Sequence, residues 1–279
     1  MTYAPFSVAM SVYGKDNADW FAKALASIVE QTVKPAEIVL VEDGPVSQEI
    51  EQVVAHYQQR CKEENIAFNL IPLPQNQGLG NALRLATESA THELVARMDS
   101  DDISVPFRFE HQLAFFAQNP ETSILGGNIE EFVGEPSNIV GQRVCPQTDA
   151  DIRQYMKKRC AMNHVSVMFR KSEVLRAGNY MDWFYNEDYY LWIRMMLAGC
   201  TFANLDEVLV TVRMGYDTYG RRGGMRYFRS ERDIQRLMFK EGIISWPAMV
   251  TNICIRFGVQ ILLPNWLRSF VFQKLFRKN

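Results

Sequence analysis

The sequence lacks the marks of several protein classes. Its five cysteines include no C-x-x-C pair, so neither a disulfide framework nor a zinc knuckle is indicated. No run of about 18 apolar residues occurs, which argues against a membrane-spanning helix. The apolar run Phe6–Tyr13 is short and has no basic residue before it, so a secretory signal is not expected. These absences together predict a cytoplasmic protein with reduced thiols.

The composition is that of a folded chain with an uneven distribution of charge. Its 279 residues suit one large domain, or one domain with an appendage, and 47% of them are apolar. The net charge is −2, yet from Gly215 onward twelve Lys and Arg residues face only four Asp and Glu residues. No acidic residue lies between Gly242 and Asn279. An acidic body with a basic, apolar tail predicts that the tail contacts something anionic.

Short apolar runs alternate with longer segments of helical periodicity. The predicted strands of the first hundred residues are Phe6–Val12, Glu37–Glu42, Phe68–Ile71 and Glu93–Met98, and the helices between them are Trp20–Gln31, Ile50–Glu64 and Gly80–Ala90. This alternation indicates βαβ units and a parallel sheet covered by helices on both faces. After residue 105 the pattern is less regular, with helices at Phe107–Gln118, Glu187–Ala198 and Arg226–Lys240 and strands at Ile124–Phe132 and His164–Phe169.

Acidic residues follow two of the predicted strands. Asp43 comes after the second strand, and Asp99-Ser-Asp101-Asp102 closes the fourth. Because ligands of an open parallel sheet bind at the carboxyl ends of its strands, we expect these acids on one rim with Ser11 and Tyr13. Three acids within four residues repel one another unless solvent or a cation such as Mg²⁺ or Mn²⁺ neutralises them. The alternatives are a solvated turn capped by Asp102, and a simple turn role for Asp43.

A second acidic pair opens the predicted helix Glu187–Ala198. Acids in a first helical turn are common partners of the helix dipole, which is one interpretation of Asn186-Glu187-Asp188. The surrounding aromatic residues favour another, because apolar walls raise a carboxylate's pKa toward the range of a general base. These neighbours are Trp183, Phe184, Tyr185, Tyr189, Tyr190 and Trp192. His164 taken alone is interpreted as structural.

Seven segments, in this order, resemble family 2 glycosyltransferases with the GT-A fold, the inverting enzymes of bacterial surface polysaccharide synthesis. They span about residue 5 to about residue 215 and are Ser7–Tyr13, Ala26–Thr32, Glu37–Gly44, Asn76–Leu83, Met98–Asp102, Met162–Arg170 and Asn186–Asp188. The resemblance implies an α/β fold, with a Rossmann-like, mostly parallel sheet flanked by helices over residues 1–215. Residues 216–279 would form a helical, basic and apolar C-terminal extension.

The resemblance also implies a role for each matching position. Ser11, Tyr13 and Asp43 would hold the uridine of a UDP-hexose, with galactose the favoured sugar. Asp99 would contact the ribose, and Asp101 and Asp102 the Mn²⁺ or Mg²⁺ on the donor diphosphate. Asp188 would be the general base. The neighbouring Glu187 would bind the acceptor or orient the base. His164 would lie beneath the site.

One segment departs from the family pattern. Many relatives carry a metal-binding His where Met214 follows Val212-Arg213, so metal binding here would depend on the aspartates, the diphosphate and water. Arg213, Arg221 and Arg222 could clamp the diphosphate through bidentate pairs. A solvated loop is the alternative for Arg221 and Arg222.

The tail from Ile243 to Asn279 mixes aromatic residues and cations, a composition typical of segments lying in a membrane interface. Pro247 and Pro264 favour short in-plane helices. We therefore expect peripheral contact with the inner face of the cell membrane and a polyprenyl-diphosphate-linked or oligosaccharide acceptor. The alternative is a helix packed on the catalytic domain.

Other activities fit the sequence less well. A sugar nucleotidyltransferase needs a glycine-rich loop with Arg after the first strand, and a dinucleotide oxidoreductase needs a full G-x-G-x-x-G; neither motif is present. A non-catalytic membrane-surface scaffold would be marked by loss of the acidic clusters, which are intact. The acidic body argues against nucleic-acid binding.

Overall fold

The computed structural model describes residues 3–215 and 223–263. Nine strands in these ranges form one sheet in the order β3-β2-β1-β4-β8-β6-β9-β5, with β7 paired to β6. The strands are β1 (Phe6–Val12), β2 (Glu37–Glu42), β3 (Ala67–Pro72), β4 (Leu94–Met98), β5 (Ile103–Ser104), β6 (Ile124–Phe132), β7 (Ile139–Arg143), β8 (Met168–Arg170) and β9 (Phe202–Arg213). The helices are α1 (Ala18–Val29), α2 (Gln48–Glu63), α3 (Leu79–Ser89), α4 (Arg108–Gln118), α5 (Asp149–Met156), α6 (Lys171–Arg176), α7 (Glu187–Leu197), α8 (Met225–Lys240) and α9 (Trp246–Phe257).

The first four strands build the parallel half of the sheet. β1 pairs in parallel with β2 on one side and β4 on the other, and β2 pairs in parallel with β3. Every residue of β4, and nearly every residue of β1 and β2, is buried, which explains why these strands are continuous apolar runs. α1 begins at Ala18 because the Asn17 side chain accepts hydrogen bonds from two backbone N–H groups of its first turn. The predicted bounds of β1 and β2 are confirmed.

The second half of the sheet is mixed. β6 matches its predicted bounds and pairs in parallel with β9, while β8 runs antiparallel between β4 and β6. The prediction of one strand over His164–Phe169 is wrong: His164–Ser166 is a 3₁₀ turn, and the strand begins at Met168. Ser166 explains the difference, because its Oγ donates to the carbonyl of Asn163 at 2.8 Å and holds the turn.

The described part of the C-terminal extension packs on the sheet domain. Ile234 and Met238 of α8 belong to the same buried cluster as Trp192 of α7. α9 is less covered: Trp246 is 60% exposed and Ile255 58% exposed. No helix within residues 3–215 and 223–263 combines the length and apolarity needed to cross a bilayer. The tail beyond Leu263 lies outside the described residues.

Candidate active site

The carboxyl ends of β1, β2 and β4 meet at one rim of the sheet. The Asp43 N–H donates to the Val12 carbonyl at 2.8 Å, which joins the ends of β2 and β1. Ser100, just beyond β4, donates from its Oγ to Asp16 Oδ2 at 2.7 Å. Ser11, half-buried, and Tyr13, 38% exposed, lie at the end of β1 on the same rim. The rim predicted from the strand alternation is therefore present.

Asp43 is buried and organises the loop that leads into α3. Its carboxylate accepts hydrogen bonds from Gln77 N at 2.6 Å, Gly78 N at 2.9 Å and Asn76 Nδ2 at 2.9 Å. Gly44 beside it has a φ of +87°, and a β-carbon there would lie 2.6 Å from Asn76 N, so glycine is required. Because donors of the chain already occupy these oxygens, Asp43 shapes the rim directly, and its contact with a uridine stays a prediction.

Asp99, Asp101 and Asp102 form a cluster at the end of β4, hereafter the strand-end cluster. One carboxylate oxygen from each residue lies within 4.8 Å of the other two. Burial, and then the neighbouring Asp99 and Asp16, raise the pKa of Asp101 to about 6. Burial also raises the pKa of Asp102 well above its usual value. Three crowded oxygen ligands whose charges repel one another fit a hard divalent cation.

Arg213 approaches this cluster from the end of β9. Its backbone N–H donates to Asp102 Oδ1 at 2.8 Å, and its Nε donates to the Asp101 carbonyl at 3.2 Å. The guanidinium lies between the rings of Trp20 and Phe132, 4.4 and 4.6 Å from their centres. The structure thus brings Arg213 to the strand-end cluster, while a diphosphate clamp stays a prediction. Arg221 and Arg222 lie outside the described residues.

Arg97 on β4 is a site residue that the sequence analysis missed. Its side chain is nearly fully buried, and its two terminal nitrogens donate to the two carboxylate oxygens of Asp99, one of them at 2.5 Å. Its one visible signal is a single cation within the apolar run of β4. Asp16 was also missed; burial raises the pKa of its carboxyl group, which accepts from Tyr13 N at 3.1 Å.

Glu187 and Asp188, hereafter the helix-start pair, begin α7. A β-carbon placed on Gly80 would lie 3.5 Å from the Glu187 Cβ, so the first turn of α3 packs directly against Glu187. Burial, and then the charge of Asp188, raise the pKa of Glu187 to about 7. Gly78, just before this turn of α3, donates to Asp43 at the rim, so Glu187 lies beside the rim that carries the strand-end cluster. The two predicted acid groups therefore converge.

Asp188 has a different environment from Glu187. Its Oδ1 accepts from the Tyr189 N–H at 2.7 Å, and its Oδ2 lies 3.7 Å from the Cys160 thiol. The pKa of Cys160 is raised by burial and by the nearby Asp188 charge, so this thiol stays protonated.

His164 lies in the floor of the site. Its Nε2 is 2.9 Å from the Tyr180 hydroxyl, and its ring packs near Trp192 with ring centres 6.0 Å apart. Burial, and then the Arg97 cation, lower the pKa of His164 well below its usual value. The ring is therefore neutral at physiological pH, and its role beneath the sugar site stays a prediction.

Comparison with known proteins places this geometry in a family. Residues 7–176 match the family described as glycosyl transferase family 2. An Escherichia coli UDP-Gal:alpha-D-GlcNAc-diphosphoundecaprenol beta-1,3-galactosyltransferase is 35% identical over 98% of this chain and 97% of its own length. The amylovoran biosynthesis glycosyltransferase AmsE of Erwinia amylovora is 38% identical over 83% of this chain and 85% of its own length.

A solved structure shares the fold at low sequence identity. The S. aureus TarS 1-349 structure in complex with UDP-GlcNAc has a TM-score of 0.67 and 16% identity, covering 96% of this chain and 81% of that one. The predicted GT-A architecture, an α/β fold with a mostly parallel sheet, is confirmed.

Proposed function

The chain belongs to glycosyl transferase family 2 and is a glycosyltransferase, and from that premise we propose that it transfers a hexose with inversion from a UDP-sugar to a saccharide on a polyprenyl diphosphate. Galactose is the favoured sugar. The observation that carries the proposal is the convergence of the strand-end cluster and the helix-start pair on one rim. Inverting transfer needs one acidic site that handles the leaving group and another that accepts a proton.

The donor side is built from the strand-end cluster. Asp101 and Asp102 would hold Mn²⁺ or Mg²⁺, because their oxygens and that of Asp99 are close enough to share one ion. Such an ion, when bound, would neutralise the charge that grows on the departing diphosphate. Arg97 keeps Asp99 oriented toward the rim, where Asp99 would contact the ribose. Ser11, Tyr13 and the Asp43 loop would enclose the uridine.

The acceptor side is built from the helix-start pair. Asp188 is proposed as the base that removes the hydroxyl proton as the acceptor attacks the anomeric carbon. Glu187, whose pKa is about 7, would bind the acceptor hydroxyls and orient that base. A single base suffices for inversion, because no carboxylate needs to form a covalent bond with the sugar.

The acceptor class is proposed from the similar Escherichia coli enzyme, whose name specifies GlcNAc-diphosphoundecaprenol. A lipid carrier agrees with the exposed apolar residues of α9, Trp246 and Ile255, and with the basic, apolar tail. We therefore place the protein on the inner face of the cell membrane, acting in O-antigen, capsule or exopolysaccharide synthesis.

A donor screen tests the activity. UDP-Gal, UDP-Glc, UDP-GalNAc and UDP-GlcNAc are offered with an alkyl-diphosphate GlcNAc or GalNAc acceptor, in Mn²⁺, in Mg²⁺ and in EDTA, and UDP release is measured. We expect one UDP-hexose to be used with a divalent ion and not in EDTA, and a β-linked product by NMR. Equal rates in EDTA would contradict the metal, and an α-linked product would contradict inversion.

A further inference from the structure

The loop between α6 and α7 carries an exposed aromatic surface that the proposed chemistry does not use. This loop is held from behind by Ser230 of α8. The Ser230 Oγ donates to the Phe184 carbonyl at 2.7 Å and accepts from Asn186 Nδ2 at 3.0 Å. The Ser230 carbonyl accepts from Trp183 Nε1 at 3.2 Å. These three bonds fix the loop immediately before the helix-start pair.

Tyr185 is held at the outer side of this loop. It has a φ of +55°, a left-handed conformation that is costly for an aromatic residue, and it is 53% exposed. Its ring packs against that of Phe184, with ring centres 4.4 Å apart. Two residues later in the chain comes Glu187. A strained, exposed aromatic residue gains little by burial, which suggests that its position serves a ligand.

A cation completes the surface. The Arg226 guanidinium lies 3.9 Å from the centre of the Phe184 ring. Elsewhere on the same helix, Arg232 and Arg236 form ion pairs with Asp233. No carboxylate of the described residues forms such a pair with Arg226, which is exposed in the first turn of α8, where no acidic residue stands. Among the residues that the structure describes, nothing therefore neutralises its donors, and they can pair with an anion.

We propose that Tyr185, Phe184 and Arg226 form a subsite for the acceptor, and that this subsite binds a saccharide 1-diphosphate. The flat face of Tyr185 contacts the C–H face of the sugar ring, and Arg226, one ring away, pairs with the adjoining phosphate. The position beside the helix-start pair presents the sugar hydroxyl to the base. This inference rests on the proposed transfer to a diphosphate-linked saccharide.

Equilibrium binding tests the subsite without requiring turnover. Two probes, an alkyl-diphosphate GlcNAc and an alkyl GlcNAc without phosphate, are titrated calorimetrically into the full chain with UDP and Mg²⁺ present. Tyr185→Ala should weaken both probes by about five- to tenfold, because the contact between the ring and the sugar is lost. Arg226→Ala should weaken only the diphosphate probe, by about tenfold. Tyr185→Phe and Arg226→Lys should retain most of the binding.

Phe239→Ala is the matched control, because it removes an exposed aromatic residue that lies on α8 and outside the subsite. This variant should bind both probes as the wild type does. UDP titration verifies that each variant is folded. Equal affinity of all variants for both probes, or no binding of either probe to the wild type, would overturn the subsite. Normal probe binding without sugar transfer from any donor would instead contradict the proposed function and leave the subsite standing.

Discussion

The strand-end cluster and the helix-start pair contain the same chemical group in two different settings. In the strand-end cluster, three carboxylates crowd together, and a buried Arg97 neutralises only Asp99 directly. In the helix-start pair, two carboxylates begin a helix beside aromatic residues, and the pKa of Glu187 reaches about 7. The pKa is raised in both settings, but three crowded carboxylate oxygens can share a cation, whereas a carboxylate pair beside apolar rings can accept a proton. The surroundings of the carboxylates, rather than the residue type, therefore determine which group suits a cation and which suits a proton.

Removing a ligand from the strand-end cluster should have the largest effect. We expect Asp101→Asn to lower turnover by at least about a thousandfold, because several kcal/mol of charge stabilisation is lost and each 1.4 kcal/mol is a factor of ten. UDP binding in this variant should no longer respond to Mn²⁺, as measured by calorimetry. Asp151→Asn, an exposed change on α5, is the control. A metal-dependent UDP affinity equal to that of the wild type would exclude Asp101 as a ligand.

Removing the proposed base should affect turnover without affecting the strand-end cluster. Asp188→Asn should lower turnover by about a hundredfold or more while leaving metal-dependent UDP affinity unchanged, because only proton transfer is lost. Single-turnover rates and UDP titrations measure the two effects. Asp182→Asn, exposed in the preceding loop, is the matched control. If Asp188→Asn kept a normal rate, or if it lost UDP binding as Asp101→Asn does, the division between the clusters would be wrong.

Weakening the Arg97 pair should have a smaller effect on the strand-end cluster. Lysine keeps the charge but lacks the planar fork of two nitrogens that pairs with both oxygens of Asp99, so Asp99 loses its fixed orientation. We expect Arg97→Lys to weaken UDP binding by about tenfold, equivalent to about 1.4 kcal/mol. Arg84→Lys, at an exposed ion pair with Glu88, is the control. Unchanged UDP affinity would show that Asp99 needs no such partner.

The sequence predicts some strands of the sheet better than others. β1 and β2 are predicted to the residue because their buried, mostly apolar runs are bounded by turn residues, and the bounds of β6 also match although it contains Asn128, Glu130 and Glu131. β9 was missed because Asp206 and Glu207 are exposed in its middle, where the pairing with β6 shifts register and the apolar run is broken. The shared rim of Asp43 and the strand-end cluster is predicted because the carboxyl ends of parallel strands lie at one edge of a sheet.

What the sequence could not provide were the partners of these acids. Arg97 is buried between neighbouring strands and reaches the partly exposed Asp99 two residues later, whereas Asp43 meets Gln77 and Gly78 only through the fold. Ser230 is 46 residues from the Phe184 carbonyl that it holds. Long-range contacts of this kind follow no sequence period, so a single sequence taken by itself cannot indicate them.

The smallest expected effect is on thermal stability, and the sign of the change in Tm differs between Glu187 and Glu64. The pKa of Glu187 is raised to about 7, so the folded chain retains a proton that the unfolded chain loses between pH 4.5 and 7. Stability therefore falls as the pH rises through that window. Glu187→Gln should remove this penalty and raise Tm by a few degrees at pH 8, but not at pH 4.

Glu64 provides the opposite case. Hydrogen bonds from Lys34 and Arg60 lower the pKa of its carboxyl group, so its contribution to stability is present at neutral pH and is lost as the pH falls. Glu64→Gln should therefore lower Tm slightly at pH 8, and the difference should be smaller at pH 4. Scanning calorimetry of both variants at pH 4 and pH 8 measures the signs. If Glu187→Gln were destabilising at pH 8, Glu187 would be a structural residue, and its ionised form would not cost stability at that pH.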